Sequence, residues 1–206
     1  MTPLLIWGGA ALAYAGFRLW YDGIPRPLAA VEIDELMTRL PATTLADARE
    51  LANLRTFLAA DDGREFVMAN LVRLAPEPVP DPDTGKLTRS RDLLERYTAD
   101  FFPALLRRGG HPVVVGRAIG SYIDSWNVPD DPGWSLLGTM RYRSRRDMMQ
   151  LVVDPRFARA HQFKIAATPV TFSFPTKPLI GLHLGPRAWV GLALALAAAL
   201  LHIALV

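Results

Sequence analysis

Long apolar runs occupy both ends of the chain. Residues 3–21 contain one charged residue, Arg18, and residues 188–206 contain none apart from a titratable His202. Each run would make about 28 Å of helix at ~1.5 Å per residue, close to the ~30 Å hydrocarbon core of a bilayer. We therefore predict two transmembrane helices, at 3–21 and 188–206, and a lipid bilayer as one partner of the protein.

The basic residues next to both runs lie toward the middle of the chain. Arg18 and Arg26 come at or after the end of the first run, and Lys177 and Arg187 precede the second. The positive-inside rule then predicts a two-pass protein of the inner (plasma) membrane, with its soluble part cytoplasmic and both termini outside. No basic residue precedes Leu4, which favours an uncleaved anchor over a cleaved signal peptide.

Small residues recur on one face of each apolar run. Spacings of three and four residues would let the helices approach each other, or a partner membrane protein, closely in lipid. The alternative is that alanine and glycine are simply common in membrane spans. The residues concerned are Gly8, Gly9, Ala13, Gly16, Gly191, Ala195, Ala198 and Ala199.

Residues 28–63 have the apolar periodicity of helices. One helix carries Ile33, Leu36 and Leu40 and stops at Pro41, and a second opens with a capping-box pattern at Thr44. The second ends at the Asp61-Asp62-Gly63 sequence. We predict a helical extension between the first anchor and the following domain.

Residues 64–178 alternate between strand and helix patterns. Strands are predicted at 64–74, 111–123, 134–142 and 170–174, helices at 93–106 and from 144 to beyond 155, and an irregular Pro-rich loop at 76–82. The order strand, helix, strand, strand, helix, strand is that of a ferredoxin-like βαββαβ domain of the α+β class.

The sheet of such a domain has one face covered by its two helices. We expect the other face to carry apolar side chains that cannot be left in water, namely Phe66, Met68, Val72, Phe172 and Phe174. A homodimer, or a partner membrane protein, would cover this face.

The composition excludes several classes of function. The chain has no cysteine, so disulfides, thiolate metal sites and cysteine nucleophiles are absent, and no pair of histidines has ligand spacing. The net charge is +3 and the basic residues are dispersed among acidic ones, which disfavours nucleic acid as a partner. We predict no cofactor and no metal.

Several short motifs resemble those of the dimeric α+β barrel superfamily, closest to its branch of domains of uncharacterised function. The resemblance covers residues 64–178 and lies outside the anchors and the helical extension. The motifs are Asn70-Leu71-Val72-Arg73, Tyr97 before Gly109-Gly110, Val115-Gly116, Trp134, Tyr142-Arg143-Ser144 and Asp154-Pro155-Arg156-Phe157.

The resemblance implies several chemistries. The superfamily includes cofactor-free monooxygenases, haem-dependent chlorite dismutases and dehalogenase-like proteins, and a shared fold does not decide among them. His161, on the second helix, is the one histidine placed like an axial haem ligand of the haem-binding relatives.

A candidate pocket consists of Asn70, Arg117, Trp134 and Tyr142. By analogy with the monooxygenases, Asn70, Trp134 and Tyr142 would orient a polycyclic phenol, with Trp134 and Tyr142 on one strand face and Arg117 completing a polar patch. In the other interpretation, Asn70 bonds to nearby backbone while Trp134 and Tyr142 pack in the core or the dimer seam.

Two functions follow as hypotheses. The first is a membrane-anchored domain that acts as an accessory, docking or assembly subunit of a membrane protein complex. The alternative is a cofactor-independent, monooxygenase-like enzyme that acts on a lipophilic aromatic or quinone-like substrate.

Overall fold

Two long helices begin and end the chain and pack against each other. In a computed structural model, which describes residues 2–41, 47–180 and 184–205, α1 spans Pro3–Asp22 and α7 spans Pro186–Leu205. They belong to one unit, Met1–Ile24 with Pro178–Val206, whereas Pro25–Lys177 forms a second unit. The Tyr14 hydroxyl donates to the Arg187 carbonyl at 2.9 Å, and the Arg187 guanidinium donates to Asp22 at 2.7 Å.

Only α7, within the described part of the chain, is long and apolar enough to cross a membrane. Helix α1 has the predicted position but does not reach the same apolarity. Gly191 of α7 lies against α1, where a Cβ would be 3.3 Å from the Tyr14 ring, while the α1 glycines Gly8, Gly9 and Gly16 face open space. The close approach of the two helices therefore uses the small residue on α7 and not those on α1.

The second unit is built on a four-stranded antiparallel sheet in the order β4-β5-β1-β6. The predicted α+β class is confirmed. The sheet strands are β1 (Phe66–Arg73), β4 (His111–Arg117), β5 (Leu136–Tyr142) and β6 (Val170–Thr176), and a small hairpin joins β2 (Val79–Pro80) to β3 (Leu87–Thr88).

Two predicted boundaries in this unit were wrong. The Pro-rich segment forms the β2–β3 hairpin, because the Asp81 carboxylate accepts backbone bonds from Asp83 and Thr84, and Gly85 adopts φ +69°. The strand predicted to reach Ile123 ends at Arg117, and residues 118–135 form a loop.

Helices cover one face of the sheet. They are α4 (Ser90–Arg107), α5 (Arg145–Val152) and α6 (Pro155–Ala167). Their apolar sides form a core with Leu93, Tyr97, Phe101, Leu105, Leu151, Ala160, Phe163 and Ala167. Ser144 caps α5 and Asp154 caps α6, as the sequence predicts.

The helical extension enlarges this helix layer. It consists of α2 (Ala30–Thr38) and α3 (Ala48–Ala59), and Asp47 caps α3 by accepting from the Glu50 amide at 2.8 Å. The predicted start at Thr44 lies outside the described residues. A second apolar cluster joins both helices to the start of β1 and to α5, through Ile33, Leu36, Leu58, Phe66, Met148, Met149 and Val153.

Two adjacent arginines of α5 fasten the extension to the domain. Arg145 donates to the Phe57 carbonyl and lies 3.6 Å from Asp61. Arg146 donates to the Arg26 carbonyl at 2.8 Å and to Glu32 at 2.9 Å. We call these contacts the arginine clamp.

The predicted composition of the uncovered sheet face was right for Phe172 and Phe174 and wrong for the three residues of β1. Phe66, Met68 and Val72 point toward the helices, where Phe66 stacks on Tyr142 with ring centroids 5.3 Å apart. The register pairs Leu71 with Phe172 and Ala69 with Phe174, so the two β6 phenylalanines lie on the opposite face from Phe66.

Candidate interaction surface

The uncovered sheet face is apolar and exposed. Phe172 and Phe174 stack with centroids 6.0 Å apart, and each retains 46% of its accessible surface. Leu137 and Val114, on β5 and β4, are exposed on the same face. An exposed patch of neighbouring large apolar side chains is typical of a surface that contacts another protein or a membrane.

One edge of this face is extended by Trp134. Its ring meets Phe172 edge to face, with centroids 5.2 Å apart and planes at 81°. Its indole N–H donates to the Tyr122 hydroxyl at 3.0 Å, which connects the sheet face to the loop 118–135.

The loop 118–135 presents a second set of apolar side chains to solvent. Ile119 is 94% exposed, Ile123 98% and Trp126 77%. The fold of the second unit covers little of these three side chains, so they add apolar surface next to the open sheet face. The sequence interpretation missed them, because it placed Ile119 and Ile123 in the strand predicted at 111–123 and treated residues 124–133 as a turn-rich loop.

Hydrogen bonds to the Asp131 carboxylate stabilise the loop 118–135. Its carboxylate accepts from the Ser121 hydroxyl at 2.7 Å, from the Tyr122 amide at 3.1 Å and from the Gly133 amide at 2.8 Å. The bond from Ser121, followed by those from the amides, lowers the pKa of Asp131. The loop therefore holds its apolar residues outward in a defined conformation.

Asn70, the first of the predicted pocket residues, has its amide fully engaged. Its Nδ2 donates to the carbonyls of Met68 at 3.1 Å and Gly138 at 3.0 Å, and its Oδ1 accepts from the Ser173 hydroxyl at 2.7 Å. This geometry is that of an amide that ties β1 to β5 and β6.

The structure does not bring the other predicted pocket residues together. Tyr142 lies on the helix side of β5, whereas the Trp134 ring packs on Phe172 on the opposite face. Arg117 is exposed and pairs with Leu136, at the far end of β5 from Tyr142 and ~20 Å away at about 3.3 Å per residue. Trp134 precedes the regular strand, so the alternation that places Tyr142 does not extend to it.

A group of titratable side chains lies between α4, α6 and the sheet. Burial raises the pKa values of Tyr97 and Tyr142 and lowers that of Lys164. The sequence interpretation placed Lys164 on a solvated face, but its Nζ lies 6.0 Å from the centre of the Tyr97 ring.

His161 belongs to the same group. Its ring stacks on Phe157 at 5.5 Å between centroids, and burial, with the nearby Lys164 charge, lowers its pKa to about 4. The described residues contain no group of three or more side chains arranged to hold a metal ion. His161 therefore packs as an aromatic side chain and is neutral at physiological pH.

The lowered pKa of the buried His161 predicts that the stability of the fold depends on pH. The unfolded histidine, with a pKa near 6.5, binds a proton before the folded one, so the stabilisation is present above that pH and is lost as the pH falls toward 4. We expect the free energy of unfolding to fall by about 1–2 kcal/mol from this group, allowing for solvent screening of a partly exposed ring. His161→Phe should remove that part of the pH dependence in chemical unfolding of the full chain.

Gln162→Leu, at an exposed neighbouring position of α6, is the matched control and should keep the pH dependence of the wild type. An identical pH profile for His161→Phe and the wild type would contradict the assignment.

Comparison with known proteins finds similar folds but no protein of known activity. No family model matches the chain, and no curated protein matches it. A crystal structure of RPA0582, a protein of unknown function from Rhodopseudomonas palustris, is similar, with 26% identity and a TM-score of 0.55 over 66% of this chain and 97% of that one. The methylated form of RPA0582 is similar at 24% identity and a TM-score of 0.55, over 68% and 96% of the two chains.

Proposed function

We propose that this protein is a membrane-anchored docking domain that serves as an accessory or assembly subunit of a membrane protein complex. The observation that carries the proposal is the uncovered sheet face with Phe172 and Phe174, together with the apolar loop 118–135. The polar groups at the edge of this face, the Tyr122 hydroxyl and the Asp131 carboxylate, are hydrogen-bonded within the loop, so binding is the use that this surface supports best.

The anchors in this proposal are α1 and α7, in the inner (plasma) membrane. Helix α7 has the length and apolarity to span it, and α1 would span beside it through the contacts of Tyr14 and Asp22 with Arg187. The basic residues that flank both helices favour a cytoplasmic second unit with both termini outside.

The second unit would be a ferredoxin-like domain of the dimeric α+β barrel type. The order β4-β5-β1-β6, with α4 after β1 and α5–α6 before β6, agrees with that of a βαββαβ unit. In such an arrangement a second copy of the chain covers the open sheet face. A homodimer is therefore the first partner we propose, and a heterologous membrane protein the second.

Nothing in the predicted pocket favours the oxygenase hypothesis. In its central residue, Asn70, the side-chain Nδ2 donates two hydrogen bonds to neighbouring protein atoms and Oδ1 accepts one from them. Orienting a substrate would require the amide to give up those bonds.

The docking proposal predicts a large effect of charge on the open face. In the full chain purified in neutral detergent, Phe174→Asp should weaken self-association at least about 25-fold, because central aromatic residues of interfaces contribute about 2 kcal/mol or more and ~1.4 kcal/mol is tenfold in affinity. Sedimentation equilibrium at several protein concentrations would measure the change.

Leu106→Asp is the matched control. Leu106 is 48% exposed, close to the 46% of Phe174, but it lies on α4 and away from the open face. It should leave association within about twofold of the wild type. A wild-type chain that stays monomeric at every concentration would contradict self-association through this face.

A further inference from the structure

A groove between α4 and α6 is lined by an unusual number of arginines. It encloses about 560 Å3 and lies in the second unit, on the outer side of the helix layer. Five guanidinium groups line it, those of Arg96, Arg107, Arg108, Arg156 and Arg159. The docking surface described above uses none of them.

One end of the groove is close to charge balance. Arg96 donates to Asp81 at 2.6 Å and to Asp83 at 2.7 Å, and Arg159 lies 3.6 Å from Asp83. The Arg96 guanidinium also stacks on the Phe163 ring at 3.9 Å. These contacts fix the arginines of this end within the protein.

The rest of the groove has an excess of positive charge, with three arginines, Arg107, Arg108 and Arg156, against the carboxylates of Asp100 and Asp154. Arg156 and Asp154 satisfy each other through bonds of 3.2 and 3.0 Å. Arg108 donates to the Ala104 carbonyl at 3.2 Å, and no carboxylate within the described ranges forms an ion pair with it or with Arg107. Two guanidinium groups at the C-terminal end of α4 therefore have donors available for a ligand.

The floor of the groove is apolar. Phe157, Ala99 and Ala104 present apolar surface to the groove, and the buried Leu151, Ala160 and Phe163 lie beneath them. A small inorganic anion would leave this floor in contact with water, whereas a ligand with both an anionic and an apolar part would cover it.

We propose that this groove binds a phosphate ester that carries an apolar group. Two guanidinium groups that line the same groove offer several N–H donors to a doubly charged anion with several acceptor oxygens, which fits phosphate better than a single carboxylate. Arg107 and Arg108 hold the phosphate, and the apolar group lies on the floor against Phe157 and Ala104. The ligand is either the headgroup region of an anionic phospholipid or a soluble phosphate ester.

The test uses the full chain in neutral detergent and titrates it with phenyl phosphate by calorimetry. Phenyl phosphate should bind saturably and at least threefold more tightly than inorganic phosphate, and phenol should not bind. Arg107→Gln and Arg108→Gln should each weaken phenyl phosphate binding at least tenfold.

Arg91→Gln is the matched control, because Arg91 is exposed on the same helix, pairs with Glu95 at 3.2 Å and does not line the groove. It should change the affinity less than twofold. The absence of saturable phenyl phosphate binding, or an equal loss in Arg91→Gln and Arg107→Gln, would overturn the proposal. Arg107 has no ion pair among the described residues, so its variant should melt with the wild type and a loss of binding would report on the groove.

A second arm identifies the source of the phosphate. The full chain is placed in nanodiscs of phosphatidylcholine, with or without phosphatidic acid, and titrated with phenyl phosphate. Competition by phosphatidic acid assigns the groove to a lipid headgroup, and unchanged binding assigns it to a soluble ester. Inorganic phosphate that binds as tightly as phenyl phosphate would contradict the role of the apolar floor.

Discussion

Arg141→Met is expected to lower the free energy of unfolding by about 3 kcal/mol. The Arg141 side chain is 4% exposed, pairs with Glu65 at 2.6 Å and donates to the Gly109 carbonyl. It therefore ties the start of β1 to the turn between α4 and β4. The variant leaves the Gly109 carbonyl without this donor and leaves Glu65 without its cation. The expected loss is at the lower end of the range for a broken buried pair, because Glu65 is partly exposed and can be hydrated.

Urea unfolding of the full chain in neutral detergent, followed by tryptophan fluorescence, would measure this loss. Arg73→Met is the matched control, since Arg73 lies on the same sheet face and has no ion pair among the described residues; its effect should stay within about 0.5 kcal/mol. Adding Glu65→Met to Arg141→Met should recover part of the stability. A single variant as stable as the wild type would show that the pair contributes nothing.

Asn70→Leu is expected to lower the free energy of unfolding by about 1–3 kcal/mol and to leave self-association intact. The substitution removes the donors to Met68 and Gly138 and the acceptor for Ser173, all within the sheet. Ser173→Ala, which removes one of these three bonds, should cost less than half as much.

Two measurements on Asn70→Leu separate a structural amide from a substrate-binding one. Thermal melting reports the stability, and mass spectrometry of the purified protein reports any small molecule that remains bound. A variant that melts with the wild type but loses a bound molecule would return Asn70 to a ligand site.

Local sequence signals predicted the elements of this fold well. Uninterrupted apolar runs located α1 and α7, apolar periodicity located α2, and Asp154-Pro155 marked the first turn of α6, since a cap and its helix are neighbours in the chain. Each of these signals is contained within a few turns of one element.

The faces of the sheet could not be predicted in the same way. Alternation within β1 groups Phe66 with Met68, and alternation within β6 groups Phe172 with Phe174, but neither reveals how the two strands are paired. The register that separates the groups is set by contacts about a hundred residues apart in sequence. The exposure of Ile123 is another property of the folded chain, because a β-branched residue in a loop has the same local pattern as one at the end of a strand.

The sequence predicted the open apolar sheet face but not the burial of Lys164. A bare apolar sheet face followed from the element order, and Phe172 and Phe174 were correctly placed on it. Lys164 was missed because helical periodicity places it among polar neighbours, and only the packing of α6 on Tyr97 removes it from water.

The arginine clamp joins segments of the chain that are synthesised far apart in time. Arg145 and its acceptor Phe57 are 88 residues apart, and Arg146 and Arg26 are 120 apart. As the chain leaves the ribosome, α2 and α3 are complete long before α5, and their apolar faces can meet each other and Phe66 but not Met148, Met149 and Val153. The core around the helical extension is therefore completed only after α5 has emerged. A stalled or truncated chain that ends before residue 145 would leave the part of Ile33, Leu36 and Leu58 that α5 covers open to chaperones and proteases.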